Sequence, residues 1–205
     1  SGESSSRTDL NLPDVQQTLL KELVATGKPV VLVLFTGRPL IFNWEQDNVP
    51  AILNVWFGGS EAAYAIGDVL FGRVNPSGKL TMSFPQNVGQ IPLYYAHKNT
   101  GRPLHDGKWF EKFRSNYLDV TNEPLYPFGF GLSYTTFAYS DISLSQSSMD
   151  MQGMITASVD VSNTGLLPGG EVVQLYIRDL VGSTTRPVKE LKGFERIYLL
   201  SLIHI

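Results

Sequence analysis

The sequence predicts an α/β region followed by an all-β region. Two continuous apolar runs, VVLVLF at residues 30–35 and AILNVWF at residues 51–57, alternate with helical patterns and glycine turns, which is typical of α/β folds. Beyond residue 137, apolar and polar residues alternate with period two, as in antiparallel sheets. With 205 residues, 42% of them apolar, the chain is expected to form one large or two small domains with buried cores.

A helix is predicted over residues 13–26, followed by a strand. Pro13 suits the first turn of a helix, and Gly27 marks its end. Between them, apolar residues recur at helical spacing at Val15, Leu19, Leu20, Leu23 and Val24. The β-branched run at 30–35 is of the kind that is buried on both faces of a parallel sheet.

A second strand is predicted over residues 51–57, and a second helix after it. Gly58 and Gly59 break the strand, and Ser60 is expected to cap the helix in SEAAYAIGDVLFG. Glycines before a helix can bind an anion, but no G-x-G-x-x-G pattern or P-loop lysine accompanies them. A tight strand-to-helix turn is therefore the favoured interpretation.

Residues 83–137 are rich in proline, glycine and aromatic residues and show little periodicity, so they are expected to pack over a surface or interface. Two explanations stay open for the aromatic residues: they stack on sugar rings, or they bury a seam between domains. The residues concerned are Trp109, Phe110, Tyr117, Tyr126, Phe128 and Phe130.

The C-terminal third predicts an antiparallel sandwich. The strands ITASVDVSNTG and EVVQLYIRD are separated by the turn residues Asn163 to Gly165 and Pro168 to Gly170.

Charge and composition exclude several classes of partner. The formal net charge is −3 with no basic block, so neither nucleic acid nor a membrane is an expected partner. The absence of cysteine excludes disulfides, zinc ribbons and thiol nucleophiles, while leaving the compartment open. His97 and His105 have no ligand at metal spacing, and His204 lies in the C-terminal tail, so no metal site is predicted.

Several long stretches resemble the C-terminal part of glycoside hydrolase family 3 β-glucosidases, from about Glu3 to Leu199. They are GRPLIF, AILNVWFGGSEAAYAIGDVLFGRVNPSGKLTMSFPQNVGQIPLYY, NTGRP, LYPFGFGLSYTTF and RPVKELKGFERIYL. The resemblance implies the C-terminal half of an α/β sandwich domain at residues 1–137 and a truncated fibronectin-III-like domain at 138–199. Residues 200–205 depart from the family pattern, and we expect them to be a reading-frame artefact.

The resemblance also implies a site in GESSSRTDLNLP. A lone glutamate in a serine-rich stretch is more commonly an exposed loop residue. In the family, however, Glu3 falls on the general acid/base, and we expect Arg7 and Asp9 to support its loop. The nucleophilic aspartate would lie on a (β/α)8-type barrel that this chain lacks, so the chain alone is expected to be inactive.

The function implied is that of a retaining exo-β-glucosidase acting on terminal β-linked glucose, in a periplasmic or secreted parent. No metal or organic cofactor is expected. The partners implied are a β-glucoside or oligosaccharide and the barrel domain. β-Xylosides and α-L-arabinofuranosides remain alternative substrates. A non-catalytic carbohydrate-binding or interaction module, using residues 109–134 and the sandwich as its surface, remains the rival function.

Overall fold

The N-terminal region is a small parallel α/β unit in the computed structural model, which describes residues 4–104 and 108–202. Its elements are α1 (Asp14–Ala25), β1 (Val31–Leu34), α2 (Asn43–Asn48), β2 (Ala51–Asn54) and α3 (Ala62–Leu70). Strands β1 and β2 pair in parallel, with Val31 opposite Ala51 and Leu34 opposite Asn54. Helix α2 lies on the connection between them, as a parallel pair requires a crossover.

The prediction of α1 and of both strands is confirmed, with differences in extent. Helix α1 begins directly after Pro13, and the hydroxyl of Thr26 donates a hydrogen bond of 2.7 Å to the carbonyl of Leu23 at its end. In β1 only Leu34 is fully buried, while Val31 is half exposed. The prediction that this strand is buried on both faces is therefore wrong for the start of β1. Among the described residues, only β2 pairs with it.

Two features near the strands differ from expectation. Helix α2 was not predicted, because its sequence NWEQDN is short and polar. The prediction that Ser60 caps the second helix was wrong. Helix α3 begins at Ala62, and Glu61 occupies the cap position without a side-chain hydrogen bond. Gly59 closes a turn by accepting a hydrogen bond of 3.1 Å from the amide of Ala62.

The core of this unit includes an aromatic residue from the irregular segment. Leu12, Leu34, Phe42 and Phe84 form the buried cluster, and Phe84 is 1% exposed. The Phe84 ring meets Phe42 edge-on, with centroids 5.4 Å apart. Its amide donates a hydrogen bond of 2.8 Å to the carbonyl of Tyr126, so these two residues of the irregular segment pack on the core.

Within the described residues, the C-terminal region contains three antiparallel pairs of strands. Strand β3 (Phe137–Tyr139) pairs with β6 (Val161–Asn163), and β4 (Ser143–Leu144) pairs with β5 (Ala157–Ser158). The longest pair joins β7 (Gly169–Ile177) to β8 (Glu190–Leu199), with an irregularity between Leu175 and Tyr176. The predicted all-β character of this region is confirmed.

One buried amide joins β6 to β8. The Asn163 side chain is 1% exposed, and its oxygen accepts hydrogen bonds from the Thr135 hydroxyl at 2.7 Å and the Gly165 amide at 3.1 Å. Its nitrogen donates to the carbonyls of Leu167 at 2.8 Å and Leu199 at 3.2 Å. Because every hydrogen-bonding position of this amide is used, its burial carries little penalty.

A buried ion pair joins the two regions. Lys79 Nζ lies 3.1 Å from Glu171 Oε2, and the two side chains are 15% and 11% exposed. The Tyr139 hydroxyl donates a hydrogen bond of 2.9 Å to Glu171 Oε1, and Lys79 Nζ also donates to the carbonyl of Gly131 at 3.1 Å. Burial and the adjacent Glu171 carboxylate raise the pKa of Tyr139 to about 12.

Aromatic and amide contacts extend this interface along β7. Tyr95 stacks on Phe128, and the Tyr95 ring meets Tyr176 edge-on, with centroids 6.2 Å apart. Gln174 Nε2 donates a hydrogen bond of 3.0 Å to the carbonyl of Gly129, which has a φ of 82° that only glycine adopts readily. Strand β7 therefore packs directly on the α/β region.

None of the helices in the described ranges is long and apolar enough to cross a membrane.

Candidate functional site

The loop that the sequence predicts to be catalytic runs beside the segment following β1. Arg38 Nη1 donates a hydrogen bond of 2.9 Å to the carbonyl of Arg7. Further along, the amide of Ile41 donates to the carbonyl of Leu10 at 2.9 Å, and Asn11 forms a parallel bridge with Ile41. The loop is thus fixed next to the carboxyl end of a parallel strand, the edge at which α/β sheets bind their ligands.

Arg38 is itself held by the turn that precedes it. The hydroxyl of the buried Thr36 donates a hydrogen bond of 2.6 Å to the carbonyl of Arg38 and accepts one of 3.2 Å from its amide. The orientation of Arg38 toward the loop therefore follows from a turn built directly after β1. The sequence predicts no role for Arg38; the signal available was its position in GRPLIF after a predicted strand.

Asp9 stabilises the loop locally. Its Oδ1 accepts hydrogen bonds from the backbone amide of Asn11 at 2.9 Å and from Asn11 Nδ2 at 2.8 Å. These two hydrogen bonds hold the pKa of Asp9 below its usual value, and the bond from the backbone amide has the larger effect. The charge of Arg7 lowers the pKa further. Asp9 is therefore ionised near neutral pH, and it fixes the chain before α1 in an Asx turn.

The predicted site residues stand as follows. Glu3 lies outside the described residues. Arg7 and Asp9 form no direct ion pair in the part of the chain that the structure describes; Arg7 is tied to Arg38 through its carbonyl, and Asp9 to Asn11. Their support of Glu3 stays a prediction.

An apolar cleft of about 490 Å³ opens beside this loop, and we call it the Leu10 cleft. Leu10, Arg38, Tyr94 and Tyr95 are among the residues that line it. Tyr95 and Phe128 stack with centroids 4.1 Å apart and planes 12° from parallel. The remaining lining residues are Pro39, Thr81, Met82, Ser83, Pro85, Ile91, Pro92 and Leu93.

The six aromatic residues singled out in the sequence divide into two groups. Tyr126, Phe128 and Phe130 are partly buried: the rings of Tyr126 and Phe130 lie 5.0 Å apart and Phe128 stacks on Tyr95, which fits the seam explanation. Trp109, Phe110 and Tyr117 are exposed. The Trp109 indole donates a hydrogen bond of 3.2 Å to the carbonyl of Val120, so its ring is fixed although it faces solvent.

Of the three histidines considered as metal ligands, only His97 lies among the described residues. His97 is exposed, with Nδ1 3.3 Å from the carbonyl of Lys98, while His105 and His204 lie outside the described residues. Among residues 4–104 and 108–202, no group of three His, Asp or Glu side chains could hold a metal ion.

Comparison with known proteins identifies the class to which this fold and loop belong. Residues 1–134 match the glycosyl hydrolase family 3 C-terminal domain, and residues 171–201 match a fibronectin type III-like domain. The chain belongs to glycoside hydrolase family 3.

Individual relatives define the similarity further. A periplasmic beta-glucosidase of Salmonella typhimurium is 55% identical over 197 residues, which are 96% of this chain and 26% of the relative. A beta-xylosidase of Formosa agariphila is 49% identical over 198 residues, 97% of this chain and 26% of that protein. The chain corresponds to the C-terminal quarter of these relatives.

Solved structures agree with the assignment. The beta-glucosidase from Listeria innocua in complex with isofagomine superposes with a TM-score of 0.92 at 44% sequence identity, covering 98% of this chain and 28% of that one. The same enzyme has been solved with glucose, and a mutant of it with laminaribiose.

Proposed function

We propose that this chain supplies the general acid/base to a retaining exo-β-glucosidase whose nucleophile lies on a barrel domain outside these residues. The observation that carries this proposal is the 55% identity to a periplasmic beta-glucosidase over 96% of the chain. The anchored loop between Arg7 and Asn11 supports it, because a catalytic carboxyl group must be held in a fixed position.

The proposed mechanism uses Glu3 twice. It first protonates the oxygen of the leaving group while the barrel aspartate attacks the sugar carbon, forming a covalent glycosyl-enzyme. The resulting Glu3 carboxylate then takes a proton from water, which hydrolyses that intermediate. Retention requires the two carboxyl groups to lie about 5–5.5 Å apart. Glu3 must therefore face the barrel across a domain interface.

The relatives support a proposal for the substrate and the location. Terminal β-D-glucosyl residues are the proposed substrate, and β-xylosides are the main alternative because a Formosa agariphila relative is named a beta-xylosidase. α-L-Arabinofuranosides are a further alternative. A periplasmic or secreted location is proposed from the name of the Salmonella relative. We propose the boundaries 1–137 and 138–199 for the two domains, with residues 200–205 as an atypical tail.

The test uses the full-length protein that contains this chain. Glu3→Ala should lower the rate on a β-glucoside with a poor leaving group by about 10²–10⁴-fold, since that substrate depends on the acid. Formation of the glycosyl-enzyme from an activated aryl glucoside should fall much less, and azide should restore turnover. Glu22→Ala, an exposed glutamate of α1, is the matched control. Equal and modest losses on both substrates would assign the acid/base role to another carboxylate.

A second candidate function is a non-catalytic carbohydrate-binding module, favoured by the exposed aromatic side chains of residues 109–117. Trp109 and Phe110 are both more than half exposed, and the Trp109 ring is held in place by its bond to Val120. Under this function Trp109→Ala would abolish glycan binding by the chain. Under the enzymatic function the same variant would change hydrolysis little.

A further inference from the structure

Three of the four methionines of the chain lie within residues 149–154, on the connection between β4 and β5. They are Met149, Met151 and Met154, and they are 56%, 99% and 82% exposed. Methionine is among the residue types that are most commonly buried. Single apolar side chains scattered over a surface need no explanation, but three on one short loop do. We call residues 149–154 the methionine loop.

Hydrogen bonds at the base of the hairpin hold the two ends of this loop together. The Ser145 amide donates a hydrogen bond of 2.9 Å to the carbonyl of Thr156, directly beyond the paired strands. One step further out, Gln146 Nε2 donates a hydrogen bond of 2.9 Å to the carbonyl of Met154. The methionine loop is therefore the closed end of a hairpin and not an extended linker.

The turn at the tip brings the methionine side chains to one place. The Gly153 amide donates a hydrogen bond of 2.8 Å to the carbonyl of Asp150, which closes a β-turn with Met151 inside it. A Cβ at position 153 would lie 3.0 Å from the Cβ of Met149, so the backbone before Met154 passes against the Met149 side chain. Each methionine has three rotatable bonds, with which the three sulfurs can converge on one point.

The chemistry of these groups selects a soft ion. Thioether sulfur suits Cu(I), whereas carboxylates suit Mg²⁺ and Ca²⁺, and imidazole suits Zn²⁺. The methionine loop contains no histidine, and Asp150 is its one carboxylate. The donor set therefore favours a soft monovalent cation over the hard divalent ions.

The charge around the loop also favours a cation. From residue 115 to residue 177 the chain contains no lysine, arginine or histidine, and Asp150 stands between two of the methionines. Apolar segments that bind anionic membranes carry lysine or arginine beside their apolar residues, because those charges attract the lipid headgroups. The methionine loop has the opposite charge, so a membrane does not explain its exposed apolar side chains.

We propose that the methionine loop binds one Cu(I) ion through the sulfurs of Met149, Met151 and Met154. The site uses none of the histidine or glutamate side chains considered above, and it is independent of the proposed glycosidase function. Thioethers have no proton to lose on binding a metal, in contrast to imidazole and thiol ligands. The affinity should therefore be nearly insensitive to pH in the range where histidine titrates.

The first test uses Ag(I), a soft monovalent ion without the redox chemistry of copper, in chloride-free buffer. It is titrated into the full-length protein that contains this chain, with the methionine methyl groups labelled with ¹³C. One equivalent should shift three methyl resonances together, and each is assigned by its absence from Met149→Leu, Met151→Leu or Met154→Leu. Leucine keeps the apolar character and approximate size of methionine but removes the sulfur.

The variants give the expected size of the effect. Each single Met→Leu variant should weaken Ag(I) binding by at least about tenfold, because losing even a group that only supports a metal ligand costs about 10–100-fold in affinity. The triple variant should lose the site. Met82→Leu is the matched control and should bind as the wild type does, since Met82 is 51% exposed but lies outside the loop.

Two outcomes of this titration overturn the proposal. Wild-type Ag(I) binding in the triple variant would show that the ion binds elsewhere. Equal losses in Met82→Leu and in the loop variants would show that exposed thioethers bind Ag(I) singly, without a site in the methionine loop.

The second test measures Cu(I) itself. Anaerobic competition against bicinchoninate, corrected for the protonation of that chelator, gives the Cu(I) affinity at pH 7.5 and at pH 5.5. The two affinities should agree within about twofold, whereas one histidine ligand of ordinary pKa would weaken binding about tenfold at the lower pH. A tenfold loss would overturn the proposal by showing that a titrating group holds the ion.

Discussion

Replacing Glu171 by Gln should destabilise the protein substantially, because it removes one charge from the buried ion pair with Lys79. At 3.1 Å and an effective dielectric of about 20, the attraction between the two charges is about 5 kcal/mol before desolvation is subtracted. Breaking a buried pair by removing one partner costs about 3–5 kcal/mol. Gln still accepts the Tyr139 hydrogen bond, and Gly131 still accepts from Lys79, so we expect the lower end, about 3 kcal/mol.

Urea unfolding followed by circular dichroism measures this loss, with Asp68→Asn as the control. Asp68 pairs with Arg73 at 3.4 Å, but those side chains are 39% and 76% exposed, and such surface pairs contribute about 0–1 kcal/mol. A loss in Glu171→Gln no larger than that in Asp68→Asn would refute the assignment of a buried charge.

A double variant separates the charge from the packing. Glu171→Leu alone leaves the Lys79 ammonium buried without its counter-ion, and it should be the least stable variant. Adding Lys79→Met should recover most of the stability, because an apolar pair of similar volume avoids the desolvation of both ions. Failure of Lys79→Met to recover stability would mean that Glu171 acts through Tyr139 instead.

Two further predictions concern a tyrosine and an orphaned amide. Because the pKa of Tyr139 is raised in the folded protein, its hydroxyl ionises at lower pH in the unfolded chain, so the free energy of unfolding should fall as pH rises from about 10 to about 12. Tyr139→Phe should show a shallower fall. Parallel plots of stability against pH for the two proteins would contradict this. Asn54 has a buried side-chain oxygen and nitrogen without a hydrogen-bond partner among the described residues, so Asn54→Leu should raise the unfolding free energy by about 1–2 kcal/mol in the same urea assay. A less stable Asn54→Leu variant would show that this amide does bind a partner.

Regular periodicity explains which elements the sequence could predict. The run at 30–35 and the helix between Pro13 and Gly27 are local patterns whose burial follows from their own spacing, and both were found. Helix α2 has no comparable pattern, because its one buried residue is Glu45, whose Oε1 accepts a hydrogen bond of 3.1 Å from Gln17 Nε2. A helix centred on a buried carboxylate cannot be recognised from apolar spacing.

Long-range contacts explain what remained hidden in the site and the core. Phe84 lies in an irregular segment. Its burial depends on an antiparallel bridge to Tyr126, which lies 42 residues further along the chain. Lys79 and Glu171 are 92 residues apart, and the alternation in EVVQLYIRD gives no reason to bury the glutamate. The family resemblance supplied Glu3, Arg7 and Asp9, but it did not supply the cleft that Leu10 and Arg38 line.

The contacts of β7 and β8 with the α/β region have a consequence for how the molecule opens. Gln174 bonds to Gly129, the Leu191 amide to the Tyr95 hydroxyl at 3.3 Å, and Arg196 Nε to the Ser77 hydroxyl at 3.0 Å. Hydrogen exchange should therefore find the β7–β8 hairpin protected together with the α/β core, as one cooperative unit. The exposed two-residue strands β4 and β5 should exchange earlier. The unit of cooperative opening therefore includes residues from both the glycosyl hydrolase family 3 C-terminal domain and the fibronectin type III-like domain.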